Sequence, residues 1–108
     1  MKAENKYAAL VDRMRGTAGV THVTEGKGFG SSGQLKVEGR IFAMLVRGQL
    51  VLKLPRDRVD ELVRTRNGTH FDAGKGKPMR EWFVLSETST RPWRQLAEEA
   101  LHFVKGTR

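Results

Sequence analysis

Three apolar segments in the middle of the chain constrain its fold most, because only a few residues separate each segment from the next. They are residues 35–37, 41–46 and 50–54. Glu38-Gly39 and Arg47-Gly48 lie between them, and short connections containing glycine are typical of β-hairpins. The first segment alternates apolar and polar residues, and the third has leucine at every second position, which gives it one clearly apolar face. The central segment is apolar throughout, as in a strand covered on both faces. The pattern therefore predicts an antiparallel meander.

Helical patterns precede, follow and interrupt the remaining strands. Residues 2–15 and the segment after Pro55 each repeat apolar side chains every three to four residues, and the C-terminal segment does so most clearly. We expect buried stripes of Tyr7, Leu10, Val11 and Met14, then of Val59, Leu62 and Val63, and finally of Trp93, Leu96, Ala97, Ala100, Leu101 and Val104. Between the last two helices, a short strand at His70-Phe71 and a longer one at 79–85 are expected.

This order of elements predicts the α+β class. We expect two layers, with a mostly antiparallel sheet of four to five strands on which N-terminal, middle and C-terminal helices pack. The segment from Thr17 to Thr24 is expected to be a connection. With 108 residues, the chain has the length of one domain, so residues 1–108 are interpreted as a single domain.

Composition narrows the classes of function. The chain has no cysteine, which excludes disulfides and thiolate chemistry. Its longest apolar run is too short to span a membrane, and no apolar segment follows the first residues as a signal peptide would require. The three histidines, His22, His70 and His102, are too dispersed for a metal site. We therefore expect a cytoplasmic protein without catalytic residues, metal or cofactor.

The net charge of +8 is the most unusual global property. It favours contact with polyanions, although net charge of either sign also promotes solubility. Between residues 64 and 80 there are five basic side chains with Asp72 as the only acid among them, and the two lysines alternate with glycine. Such a segment suits contact with phosphate groups. The candidate nucleic-acid-binding residues are Arg64, Arg66, Lys75, Lys77 and Arg80.

A glycine-dense stretch at residues 26–33 matches the spacing G-x-G-x-x-G of dinucleotide sites. In those sites the glycines lie between a strand and a helix, so that helix amides face the phosphates. Here the stretch leads into a strand, which favours a structural bend, with weak anion binding by exposed amides as the alternative. The candidate anion-binding residues are Gly28, Gly30, Ser31, Ser32 and Gly33.

Short motifs in a characteristic order extend over nearly the whole chain. They are the bend with Phe29-Gly30, the segments 35–43 and 50–55, Phe71, residues 79–82, and Trp93 with its helix. In this order they resemble the N-terminal domain of the TfoX family of bacterial competence regulators. The resemblance implies an α+β fold with a mostly antiparallel sheet, similar to YjbR-like domains, and a non-enzymatic role in transcription regulation.

Three functions stay open on the sequence alone. The first is a regulatory domain that acts on a protein partner. The second is direct binding of nucleic acid through the basic segment, and the third is binding of a small molecule or anion at the glycine bend.

Overall fold

The computed structural model describes residues 3–23, 33–71 and 79–106, and it has the α+β fold that the sequence predicts. Lys75, Lys77 and most of the glycine-dense stretch lie outside these ranges. The elements along the chain are α1 (Ala3–Met14), β1 (Val20–Val23), β2 (Gln34–Val37), β3 (Arg40–Val46), β4 (Gln49–Lys53), α2 (Arg56–Arg64), β5 (Gly68–Phe71), β6 (Met79–Leu85) and α3 (Trp93–Gly106).

The strands form one antiparallel sheet in the order β1-β2-β3-β4-β6-β5. The first four strands follow one another as a meander. The chain then passes through α2 to β5 at the far edge of the sheet and returns along β6, which fills the position between β4 and β5. Within the described residues there are six strands rather than the four to five expected.

The additional strand is β1, which lies in the segment expected to be a connection. Its four residues, Val-Thr-His-Val, alternate apolar and polar side chains and pair with β2 in continuous register from Val20↔Val37 to Val23↔Gln34. So short an alternation is a weak local signal, and the free edge of β2 supplies the partner that makes it a strand.

Both predicted hairpin turns are present. Glu38 and Gly39 have φ of 52° and 82°, and Arg47 and Gly48 have φ of 51° and 78°. Two consecutive residues with positive φ are the signature of type I′ turns, whose twist matches that of the strands they join. The pair β2–β3 also contains a β-bulge, where Phe42 is the extra residue and both it and Ala43 lie in the main core.

All three helices pack on the same face of the sheet. The predicted stripes of α1 and α3 are buried in one cluster with the sheet residues Leu35, Leu45, Leu52 and Phe83, and Trp93 is half-buried against it. In α2, Val59 and Leu62 are fully buried while Val63 is half-buried. No described helix packs on the other face, which we call the helix-free face. None of the described helices is long and apolar enough to cross a membrane.

Candidate functional site on the helix-free face of the sheet

The helix-free face carries an apolar cluster of its own, separate from the main core. Successive strand residues point to opposite faces, so the residues of β3, β4 and β6 that alternate with core residues lie on this side. The cluster consists of Met44, Val46, Val51, Phe71, Trp82 and Val84. The cross-strand pairs Met44↔Val51 and Val51↔Val84 connect its members across neighbouring strands.

Access to this cluster is uneven. Val51 at its centre is 0% exposed and Phe71 is 6% exposed, although no described helix packs on them. Trp82 and Val84 are half-buried, and Thr69, which pairs with Val84, is exposed. The part of this face that a partner can reach is therefore centred on β6 and β5 rather than on the whole sheet.

A groove of about 210 Å³ crosses this accessible part of the face. It spans β3, β4, β6 and β5, and its lining consists of four apolar and four polar or charged residues, among them Arg47 from the β3–β4 turn. The lining residues are Val46, Arg47, Gln49, Val51, Thr69, His70, Phe71 and Val84. A groove that combines apolar side chains with polar groups and a cation is a common form of binding site.

A basic side chain lies beside Trp82. The ammonium nitrogen of Lys53, which pairs with Trp82 across β4 and β6, is 5.7 Å from the centroid of the indole ring, within cation–π range. Arg80 is exposed, but the pairing of β6 with β5 is irregular between Met79 and Phe83, so strand alternation does not assign Arg80 to either face. The face thus combines an aromatic ring with a cation beside it.

The described members of the predicted basic cluster do not come together. Arg64 ends α2 and Arg66 follows in the turn with φ of 64°, close to Gly68, which pairs with Leu85 at the end of β6. Arg80 lies near the beginning of β6, so the length of the strand, on the order of 15 Å, separates it from the other two. All three side chains are exposed. Binding through the five-residue cluster stays a prediction.

The arginines of α2 lie among carboxylates. Arg58 donates from Nε to Glu99 Oε1 over 2.8 Å and from Nη1 to Glu61 Oε1 over 2.6 Å, joining α2 to α3. The hydrogen bond from Arg58, followed by the charges of Arg58, Arg64 and Arg91, lowers the pKa of the Glu61 carboxyl. Part of the positive field of this region is therefore offset by neighbouring carboxylates.

The glycine bend is described only at its last residue. Gly33 is buried with φ of 85°, and its carbonyl accepts a hydrogen bond of 3.0 Å from the Tyr7 hydroxyl of α1. This contact ties the entry of β2 to the helical layer and gives Gly33 a structural role. Gly28, Gly30, Ser31 and Ser32 lie outside the described residues, and anion binding there stays a prediction.

A second cavity, of about 260 Å³, lies between α1, the β3–β4 turn and the start of α3. Lys6 Nζ is 4.5 Å from the centroid of the Trp93 ring in its wall. Its serine hydroxyls are already engaged within the protein, since Ser89 donates to Asn67 and Ser86 bonds Thr88.

Two of the described histidines, His22 and His70, take part in other contacts. His70 Nε2 is 3.2 Å from Asp60 Oδ1, and the ring of His22 packs edge-on against Tyr7 at 6.3 Å between centroids. Within residues 3–23, 33–71 and 79–106, no three His, Asp or Glu side chains are grouped so that they could hold a metal ion.

Comparison of the chain with family models, with curated proteins and with solved structures gives no match in any of the three. The site is therefore interpreted from its own geometry and chemistry.

The sequence contains a signal for two cations of the helix-free face, in the alternation of strand residues. Lys36 and Lys53 each stand between apolar residues of an alternating strand, so they had to lie opposite the core. Thr69 and Arg47 carry no such signal, since their place beside the groove depends on the pairing of β5 with β6 and on the position of the β3–β4 turn.

Proposed function

We propose that this chain is a non-enzymatic regulatory domain that binds a macromolecular partner on the helix-free face of its sheet. The observation that carries the proposal is the groove of about 210 Å³ on a face that no described helix covers. Grooves that combine apolar and polar side chains, with an aromatic side chain nearby, are typical of binding surfaces.

The resemblance to TfoX-type N-terminal domains supports the regulatory part of the proposal. Those domains belong to regulators of competence genes, and the α+β architecture is the one that the resemblance implies. Because one fold serves many functions, the groove rather than the fold is the basis of the proposal.

A pair of matched substitutions tests it. Thr69→Glu places a carboxylate in the groove wall, whereas Thr21→Glu places the same group on the same face at the far edge strand, β1. Both threonines are exposed, so neither change buries a charge. Transcripts are measured in cells that lack the protein and are complemented with the wild type or with either variant at equal protein levels.

We expect the wild type and T21E to restore the transcript pattern and T69E to leave it close to that of the deletion. Full restoration by T69E would remove the groove from the proposal. A deletion that changes no transcript would contradict a regulatory role altogether.

A further inference from the structure

We propose that the partner of the helix-free face is a single-stranded nucleic acid. This inference rests on the proposed function, since it names the class of molecule that the groove binds. It derives from the way in which charge is divided between the two faces of the sheet.

Carboxylates are concentrated in the helical layer. The three helices contain seven Asp and Glu residues: Glu4, Asp12, Asp57, Asp60, Glu61, Glu98 and Glu99. Several of these have cationic partners on the same side of the molecule, such as the 2.9 Å pair of Arg94 with Glu98 and the contacts of Arg58 with Glu61 and Glu99. The helical side thus carries both signs of charge in close proximity.

The strand segments of regular pairing carry only cations on the helix-free face. Lys36 and Lys53 occupy strand positions there, and Arg47 lines the groove. Among the described strand residues that regular pairing assigns to this face, none is an Asp or a Glu. A surface with one sign of charge attracts a polyanion and repels cationic partners, so charge complementarity selects an anionic molecule.

The accessible aromatic side chain among these cations distinguishes a single strand from a duplex. Proteins bind single strands by combining cations along the backbone with aromatic or apolar surfaces on which unpaired bases stack. Trp82 and the neighbouring Val84, both half-buried, offer such a surface beside Lys53. In a duplex the base faces are stacked inside, and reaching the base edges requires an element that projects into a DNA groove. No described helix lies on this face to do so, and its described residues would therefore contact a duplex mainly at its phosphates.

Fluorescence anisotropy with a labelled 12-mer of deoxythymidine tests the inference, beside a 12-base-pair duplex, at salt concentrations from about 50 to about 200 mM. We expect the single strand to bind more tightly than the duplex. Three to four phosphate contacts give a plot of log affinity against log salt with a slope of about −2 to −3.

Two substitutions separate the charge contribution from the stacking contribution. Arg47→Asn removes one cation and keeps a residue that tolerates positive φ, so the slope should become shallower by about 0.7. Trp82→Leu should lower the affinity about tenfold or more while leaving the slope unchanged, and Trp82→Phe should restore most of it. Arg13→Gln, which removes a charge from exposed α1, is the control and should change neither quantity.

The inference is overturned if the single strand does not bind at the lowest salt, if the duplex binds equally well, or if R13Q weakens binding as much as R47N. It is also overturned if a peptide of glutamates binds in an Arg47-dependent manner and the oligonucleotide does not, because the partner is then an acidic protein. Failure of the oligonucleotide while T69E still abolishes the transcript response leaves the proposed function standing. If T69E restores the transcript pattern as well as the wild type does, while oligonucleotide binding still depends on Arg47 and Trp82, the regulatory role is contradicted instead.

Discussion

Gly68, the first residue of β5, shows how closely two strands can approach when one of them lacks a side chain. A Cβ atom built at this position would collide with the carbonyl oxygen of Val84 and with the ring of Phe83. Gly68 does not have positive φ, so space rather than backbone conformation requires the glycine. A glycine shortly after a helix normally serves as its C-cap, but Gly68 belongs to strand β5.

Gly68→Ala is therefore expected to lower the free energy of unfolding by about 2–3 kcal/mol, since the backbone of β6 has to move. Urea denaturation measures the change. Gly106→Ala at the end of α3 is the control, because nothing lies within 4 Å of its added Cβ. A loss of stability in G68A no larger than in G106A would contradict the packing described here.

Tyr7, the only tyrosine, makes the stability of the protein depend on pH in the alkaline range. Burial raises the pKa of its phenol well above the usual value near 10. The unfolded chain then releases the proton first, so the contribution of Tyr7 is complete below about pH 10 and declines as the pH rises further. We expect ultraviolet absorbance to show tyrosinate only as the protein unfolds.

Tyr7→Phe is the matched variant. It loses the hydrogen bond to Gly33 and about 1 kcal/mol of stability at neutral pH, and its stability should fall less steeply above pH 10 than that of the wild type. Tyrosinate that forms near pH 10 in the intact fold would show that the phenol is not buried as described.

At the scale of elements, the hairpin connecting β2 and β3 is a site at which stability can be increased. Glu38 holds φ of 52°, a conformation that costs most residues energy and that asparagine tolerates. Glu38→Asn is expected to raise the free energy of unfolding by about 0.5 kcal/mol or more in urea denaturation. The same change at Glu87, a described turn residue without positive φ, should stay within about 0.5 kcal/mol of the wild type. Equal effects at both positions would contradict the turn assignment.

The elements that sequence reasoning predicted well are those with a complete local signal. The stripe of α1 and the hairpin turns at Gly39 and Gly48 are determined by nearby residues, and the structure confirms them. Strand β1 depends on the free edge of β2, which the local sequence does not reveal. The local sequence also does not reveal that a side chain at position 68 would collide with β6.

At the scale of the whole molecule, closeness in sequence was a poor guide to closeness in space. Arg64, Arg66 and Arg80 lie within 17 residues of the sequence, yet β5 carries the chain across the sheet between them. Conversely, Arg47 and Thr69 line one groove because β3, β4, β6 and β5 are adjacent in the sheet. Strand order, which arises from tertiary packing, determines which cations share a surface.

The two tryptophans of the chain lie on opposite sides of the sheet: Trp93 packs against the main core and Trp82 against the second cluster. Each can therefore serve as an optical reporter for one layer. A protein with Trp93→Phe emits only from the helix-free face, and one with Trp82→Phe emits only from the helical layer. Comparing their emission during a titration or an unfolding experiment would show which layer responds first, without attaching any external dye.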